Sequence, residues 1–193
     1  TFPVTFTIMS FSFGIGIGAS AVISRAIGEG DFHKVKRLTT DSLLLVTIII
    51  LCIAGISFFY LDFIFFLIGA KDESMILIRE YMIPWLLGVV FVVIPIVGNS
   101  AIRATGDTKT PSIIMIIAAF VNAVLDPILI FGFGPFPELG IQGAAISTVI
   151  SYISIMIAGL WVLGKRERML TITWPGIAEI IRSWKALLYI GIP

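Results

Sequence analysis

The stretch SIIMIIAAFVNAVLDPILIFGFG, residues 112–134, decides the fold. It is long enough to cross a hydrocarbon core, which takes about 20 apolar residues in a helix, and its one charge is Asp126. Four other stretches of this kind carry no charge at all: 1–24, 42–61, 81–102 and 139–164. A further one begins near Ala186. The whole chain is 58% hydrophobic and 13% charged, with a mean hydropathy of +1.08. Soluble domains carry roughly 25% charged residues, so there is too little polar surface here to cover a core in water. The alternation in FSFGIGIGASA (11–21) has the period of a barrel strand, but the other runs are far too long for strands. The fold class expected is an all-α integral membrane protein, a polytopic bundle of five complete transmembrane helices and the start of a sixth.

The loops set its orientation. Arg25, Lys34, Lys36 and Arg37 surround the first, Arg103 and Lys109 the third, and Lys165, Arg166, Arg168, Arg182 and Lys185 the fifth. Acids offset the bases of the second loop, and the fourth has none. The positive-inside rule therefore puts loops one, three and five in the cytoplasm. The first apolar run starts at residue 1, and the last reaches only eight residues from Ala186, so we expect a piece of a longer protein.

Local chemistry adds detail. Gly14 and Gly18 form a GxxxG pair beside Ser10, Ser12 and Ser20, small residues that allow helix backbones to approach closely. Pro84 and Pro95 lie eleven residues apart in the third segment and are expected to bend it. Asp62 reads as a cap on a short interfacial turn. Thr110-Pro111 reads as an N-cap with proline at the first helical position. From Ile177, apolar residues at 177, 180, 181, 184, 187 and 188 form one face of an amphipathic helix. With Trp174, Trp184, Arg182 and Lys185, it suits the cytoplasmic membrane surface. The one cysteine, Cys52, is expected to be a packed thiol, and the one histidine, His33, to lie in a solvated loop.

No catalytic motif stands out: there is no HExxH, GxSxG or phosphate-binding P-loop, and no Cys/His cluster. Covalent chemistry and nucleic-acid binding are not expected. The polar residues that remain are Asn122 and Asp126, four apart and so on one helix face. A charged Asp at the centre of a membrane helix costs about 2.5–3.5 kcal/mol on insertion scales, so it must face protein, water or an ion. Pro127 frees the carbonyl of Ala123 close to that face. Two readings stand side by side: a site for a proton or a small hard cation, and a polar clamp that serves packing alone. On the next segment Ala144, Thr148 and Ser151 follow at one-turn spacing. Hydroxyls there commonly bond their own backbone.

Three motifs, in this order and spacing, carry a resemblance: GIGIGASAVISRAIGEGD (14–31), RATGDTKTP (103–111) and NAVLDPILIFGFGPFPELGIQGAA (122–145). The chain resembles the multidrug and toxic compound extrusion (MATE) transporters of prokaryotes. The resemblance implies a twelve-helix transporter of two six-helix lobes, of which this chain would supply the second to sixth helices (1–164). A cytoplasmic inter-lobe linker (165–185) and the start of the seventh helix (186–193) would follow. It also implies a first-lobe cation site with Asn122 and Asp126 as ligands, joined by the Ala144 carbonyl and the Thr148 hydroxyl, and completed by an acid on a first helix that lies outside this chain.

The function expected is a secondary active multidrug exporter of the cytoplasmic membrane. It would be a multi-pass protein that expels drugs and organic cations while Na⁺ or H⁺ enters, with no cofactor beyond that coupling ion. Its partners would be the lipid bilayer, the exported small molecule and the second lobe of the same protein. Pro84, Pro95 and Pro127 are candidate hinges or kinks. A lipid-linked saccharide flippase of the same architecture is the alternative, as is a structural membrane subunit. Against the flippase, no Lys or Arg falls within any of the five segments.

Overall fold

The computed structural model describes residues 1–171 and 176–191. The described residues form eight α-helices: α1 (Phe2–Gly28), α2 (Phe32–Phe59), α3 (Leu61–Leu67), α4 (Asp72–Leu87), α5 (Val89–Ala104), α6 (Lys109–Phe131), α7 (Gly140–Trp161) and α8 (Ile177–Gly191). A π-helical turn, Val162–Arg166, continues α7. Helices α1, α2, α6 and α7 with its π turn are each long and apolar enough to cross a membrane. Helices α4 and α5 are long and apolar enough only together, and, bent by 54° at Gly88, make a fifth span where the pair is counted as one. The all-helical bundle of four to five membrane-length spans follows from hydropathy because, in lipid, a helix satisfies every backbone group within the segment.

The helices are longer than the apolar runs, since a helix does not stop where the membrane does. Helix α2 starts ten residues before the second apolar run, at Phe32, so His33 is an exposed residue of its first turn rather than of a loop. The loop itself is short, and the Asp31 carboxylate caps α2 by accepting the Lys34 N–H at 2.9 Å. At α6 the cap is not Thr110. The Asp107 carboxylate accepts both the Thr110 N–H (2.9 Å) and its hydroxyl (2.6 Å), and Pro111 is the third helical residue. Asp62 lies in the first turn of α3, where its side chain caps nothing and instead receives a bidentate bond from Arg79, at 2.8 and 2.7 Å. Cys52 is exposed on α2. An apolar setting in the sequence of a membrane helix does not imply burial against protein.

Helix α5 is the most enclosed. It packs against α1, α2 and α7 and buries a nearly continuous run from Pro95 to Ile102. Helix α6 is peripheral, touching mainly α7, with Ile113, Ile116, Ile117 and Phe120 facing outward. Gly14 and Gly18 are where α1 meets α8. A Cβ on Gly18 would collide with the Leu187 carbonyl, and one on Gly14 with that of Gly191. Of the face expected on α8, Ile180 and Leu187 are buried and Trp184 half-buried, while Ile181 is exposed. Helix α8 runs without a break across residues 185 and 186. Trp174 lies outside the described residues.

The ends of the helices that carry the bases of the first, third and fifth loops are tied together. Ser24 Oγ donates to the Ala104 carbonyl (3.3 Å), and Arg166 donates to Thr110 Oγ1 (2.7 Å) and to Asp107 (2.8 Å). Thr171 N–H donates to Thr40 Oγ1 (3.1 Å), and Trp184 Nε1 to the Asp41 carbonyl (3.2 Å). Asp41 in turn forms a largely buried pair with Arg37 at 3.1 Å.

Candidate functional site

Helices α6 and α7 are joined by a short connection and lie side by side. At the connection the Leu139 N–H donates to the Leu129 carbonyl (3.0 Å), and Gly143 packs directly on that same carbonyl, so the two backbones touch. This close approach brings the polar residues of α6 against the small and hydroxyl residues of α7.

Asn122 and Asp126 stand one turn apart on α6, with Asn122 Nδ2 3.4 Å from Asp126 Oδ1. Both are half-buried. Facing them on α7 is Ser147, fully buried, whose hydroxyl donates to Asp126 Oδ1 and accepts from Asn122 Nδ2 at 3.3 Å. The same hydroxyl also lies 3.1 Å from the Ala144 carbonyl. Thr148 Oγ1 donates to that carbonyl at 2.9 Å. All four expected residues therefore fall in one neighbourhood, at the α6–α7 interface. Ser147 was not among them, although it sits between Ala144 and Thr148 in GAAISTV and bonds the carboxylate directly.

The donor set is a carboxylate, an amide, two hydroxyls and a backbone carbonyl. Such all-oxygen groups suit a hard monovalent or divalent cation. Among the described residues no group of three or more His, Cys, Asp or Glu stands together to hold a softer metal. In the arrangement seen, Asp126 Oδ1 accepts hydrogen bonds from both Ser147 and Asn122. One hydrogen on Ser147 serves two acceptors, Asp126 and the Ala144 carbonyl.

Beside this cluster opens a cavity of about 420 Å³ between α1, α5, α6 and α7. Asn122 and Thr148 line it, so the polar cluster forms part of its wall. Arg103 also lines it. By its charge Arg103 belongs to a loop, and the five apolar segments then hold no base. In the structure α5 continues to Ala104, and Arg103 is part of its last turn. Asn99, one turn earlier, lines the cavity as well, with 5% of its surface exposed and its Oδ1 without a hydrogen-bond partner. Of the three prolines, Pro95 lines the cavity from within α5, and Pro84 and Pro127 lie inside α4 and α6. The bend between α4 and α5 falls at Gly88, between Pro84 and Pro95.

Comparison with known proteins agrees with this architecture. A protein of Shewanella oneidensis described as an FAD transporter is 40% identical over 193 residues, which is 100% of this chain and 43% of that protein. The probable multidrug resistance protein YoeA of Bacillus subtilis is 33% identical over 171 residues, 88% of this chain and 36% of its own length. This chain thus spans less than half the length of either relative. Among solved structures, a MATE transporter in its bent conformation superposes with a TM-score of 0.88 at 31% identity, covering 100% of this chain and 42% of that one. The MatE family model matches residues 1–128, and on this ground the chain belongs to the MatE family of membrane transporters.

Proposed function

We propose that the intact protein is a secondary active exporter of the cytoplasmic membrane that moves organic small molecules outward as Na⁺ or H⁺ enters. The observation that carries this reading is the cluster of Asn122, Asp126, Ser147, Thr148 and the Ala144 carbonyl, which reaches the cavity through Asn122 and Thr148. Asp126 supplies the charge that attracts the cation. Asn122 and Thr148 supply neutral oxygens, and Ser147 turns its hydrogen from Asp126 to the Ala144 carbonyl as the cation takes its place. Cation entry then trades a bond between α6 and α7 for shared ligands on both. A ligand shifts a conformational balance only by its differential affinity for the two states, and a site split between two helices provides that difference.

The test is ion-driven efflux by the intact transporter carrying Asp126→Asn, in everted vesicles at matched expression. Loss of the response to an imposed Na⁺ or H⁺ gradient is expected. An unaltered response removes Asp126 from coupling.

A second reading concerns the cargo. The relative matched over the whole chain is described as an FAD transporter, and Arg103 in the cavity wall gives an anionic cargo a counter-charge. Flavin nucleotides therefore stand beside drugs and organic cations as cargo. The roles of the relatives, FAD transport and multidrug resistance, favour a soluble organic solute over a lipid-linked saccharide.

A further inference from the structure

The cavity has two unlike ends. One is the Asn122–Thr148 wall beside Asp126, and the other is the face of α5 that carries Asn99 and Arg103. From Pro95 to Arg103 the lining face of α5 runs about 12 Å at the helical rise of 1.5 Å per residue. Between the ends the walls are apolar and soft, built from Met9, Phe13, Met115 and Tyr152. The volume, about 420 Å³, falls within the range of small-molecule pockets.

Two groups at the α5 end are free to meet a solute. Arg103 is exposed, gives one N–H to Ser100 Oγ at 3.1 Å and forms no ion pair among the described residues. Asn99 Oδ1 is buried and has no donor facing it. The two residues are four apart and share a helix face. A guanidinium presents a planar fork that fits a carboxylate or phosphate in bidentate fashion, and a buried amide oxygen without a donor is unfavourable until one reaches it.

We propose that the Asn99–Arg103 end of the cavity binds the anionic group of an organic solute, a phosphate or a carboxylate, with the Asn99 amide turning to bring its unpartnered Oδ1 to an N–H or O–H of the same solute. The flat or apolar body of the solute lies between Phe13, Met115 and Tyr152. This rests on the exporter reading above and narrows its cargo: the pocket takes organic anions, not only cations. It also gives the cavity a polarity.

The experiment uses the full-length transporter in nanodiscs of zwitterionic lipid and reads flavin fluorescence on titration with riboflavin 5′-phosphate and with riboflavin. The two share one ring system and differ in the phosphate. The phosphate ester is expected to bind about tenfold more tightly, the scale of a charge-assisted hydrogen bond, with a preference that shrinks as KCl rises. Arg103→Gln is expected to bring the two affinities within about twofold, Arg103→Lys to keep part of the preference, and Asn99→Leu to weaken both ligands alike. If nanodiscs containing phosphatidic acid suppress the Arg103-dependent preference, the anion site stands and takes lipid headgroups too. No suppression assigns it to soluble anions. The proposal is overturned if wild type binds riboflavin as well as its phosphate ester, or if the preference survives Arg103→Gln. Should neither flavin bind while ethidium is still exported by the same protein, the anion site falls and the exporter reading stands. Should no organic solute be exported, both fall.

Discussion

Ser147 donates its hydroxyl hydrogen to the Asp126 carboxylate across the α6–α7 interface, and the oxygen that gives this hydrogen receives one from Asn122 at 3.3 Å. Replacing Ser147 by Ala leaves a charged oxygen short of a donor in a membrane interior. Hydrogen bonds between membrane helices are worth about 0.6–1.7 kcal/mol, so Ser147→Ala should lower the cation-free melting temperature of the intact transporter modestly. A cation that occupies the site satisfies Asp126 in the donor's place. On the coupling proposed above, added Na⁺ should therefore raise the variant's melting temperature by more than it raises that of wild type. A variant that melts like wild type with and without cation would show that the bond has no part in holding the site.

The reason Asn122 and Asp126 were legible in the sequence, and Ser147 was not, is physical. A carboxylate and an amide in an apolar run have no cheap resting place in lipid, so their mere presence singles them out. A serine does have one: it can bond the carbonyl a turn earlier, as Ser12 and Ser151 do at 2.8 Å each. Only the rotation of α7 against α6 decides whether Ser147 or Thr148 meets the carboxylate, and single-chain periodicity does not contain it. Arg103 and His33 illustrate a second limit, since charge marks where the membrane ends but not where a helix does. The helix-packing role of Gly14 and Gly18 was legible, their spacing being the signal, but their partner α8 was not.

The α1–α8 contact makes a graded prediction. A methyl on Gly18 meets the Leu187 carbonyl, which belongs to a helix backbone and has little freedom to yield. Gly18→Ala should destabilise by about 1–3 kcal/mol, the usual cost of overpacking, and Gly18→Leu by more. Gly28 is the control, because a methyl placed there would have no neighbour within 4 Å. Gly28→Ala should be neutral or stabilising by up to about 1 kcal/mol. Thermal unfolding of the three variants in one detergent decides the matter, and equal effects at Gly18 and Gly28 would refute close packing at this crossing.

Gly88 marks the bend between α4 and α5 and lies against the side chain of Val149 on α7. Gly88→Ala alone should force α4 away from α7 and reduce both stability and transport. Because the obstacle is a side chain, trimming it should restore the fit: the double variant Gly88→Ala with Val149→Ala should recover much of the loss. Contacting residues typically show coupling of about 0.5–3 kcal/mol. A strictly additive double variant would mean that Gly88 is needed for its backbone and not for the space it leaves.

The turn between α5 and α6 should respond to pH. Thr110 bonds the Asp107 carboxylate through its hydroxyl and then its N–H, and Arg166 adds a charged bond, so the carboxyl is held at about 2 in place of the ordinary 3.8. A carboxyl depressed on folding contributes stability that is fully present above its ordinary pKa and is lost as pH falls through the folded one. Protection of the Thr110 amide from hydrogen exchange, corrected for intrinsic rate, should stay level from neutrality down to the ordinary 3.8 and then fall as pH approaches about 2. Asp107→Asn should remove that acid limb and lower protection at neutral pH, because the amide loses the charged end of its cap. Arg166→Gln should keep the limb but move it upward, nearer the ordinary carboxyl value, since the two Thr110 bonds remain. An acid limb that persists in Asp107→Asn would assign the titration to another group.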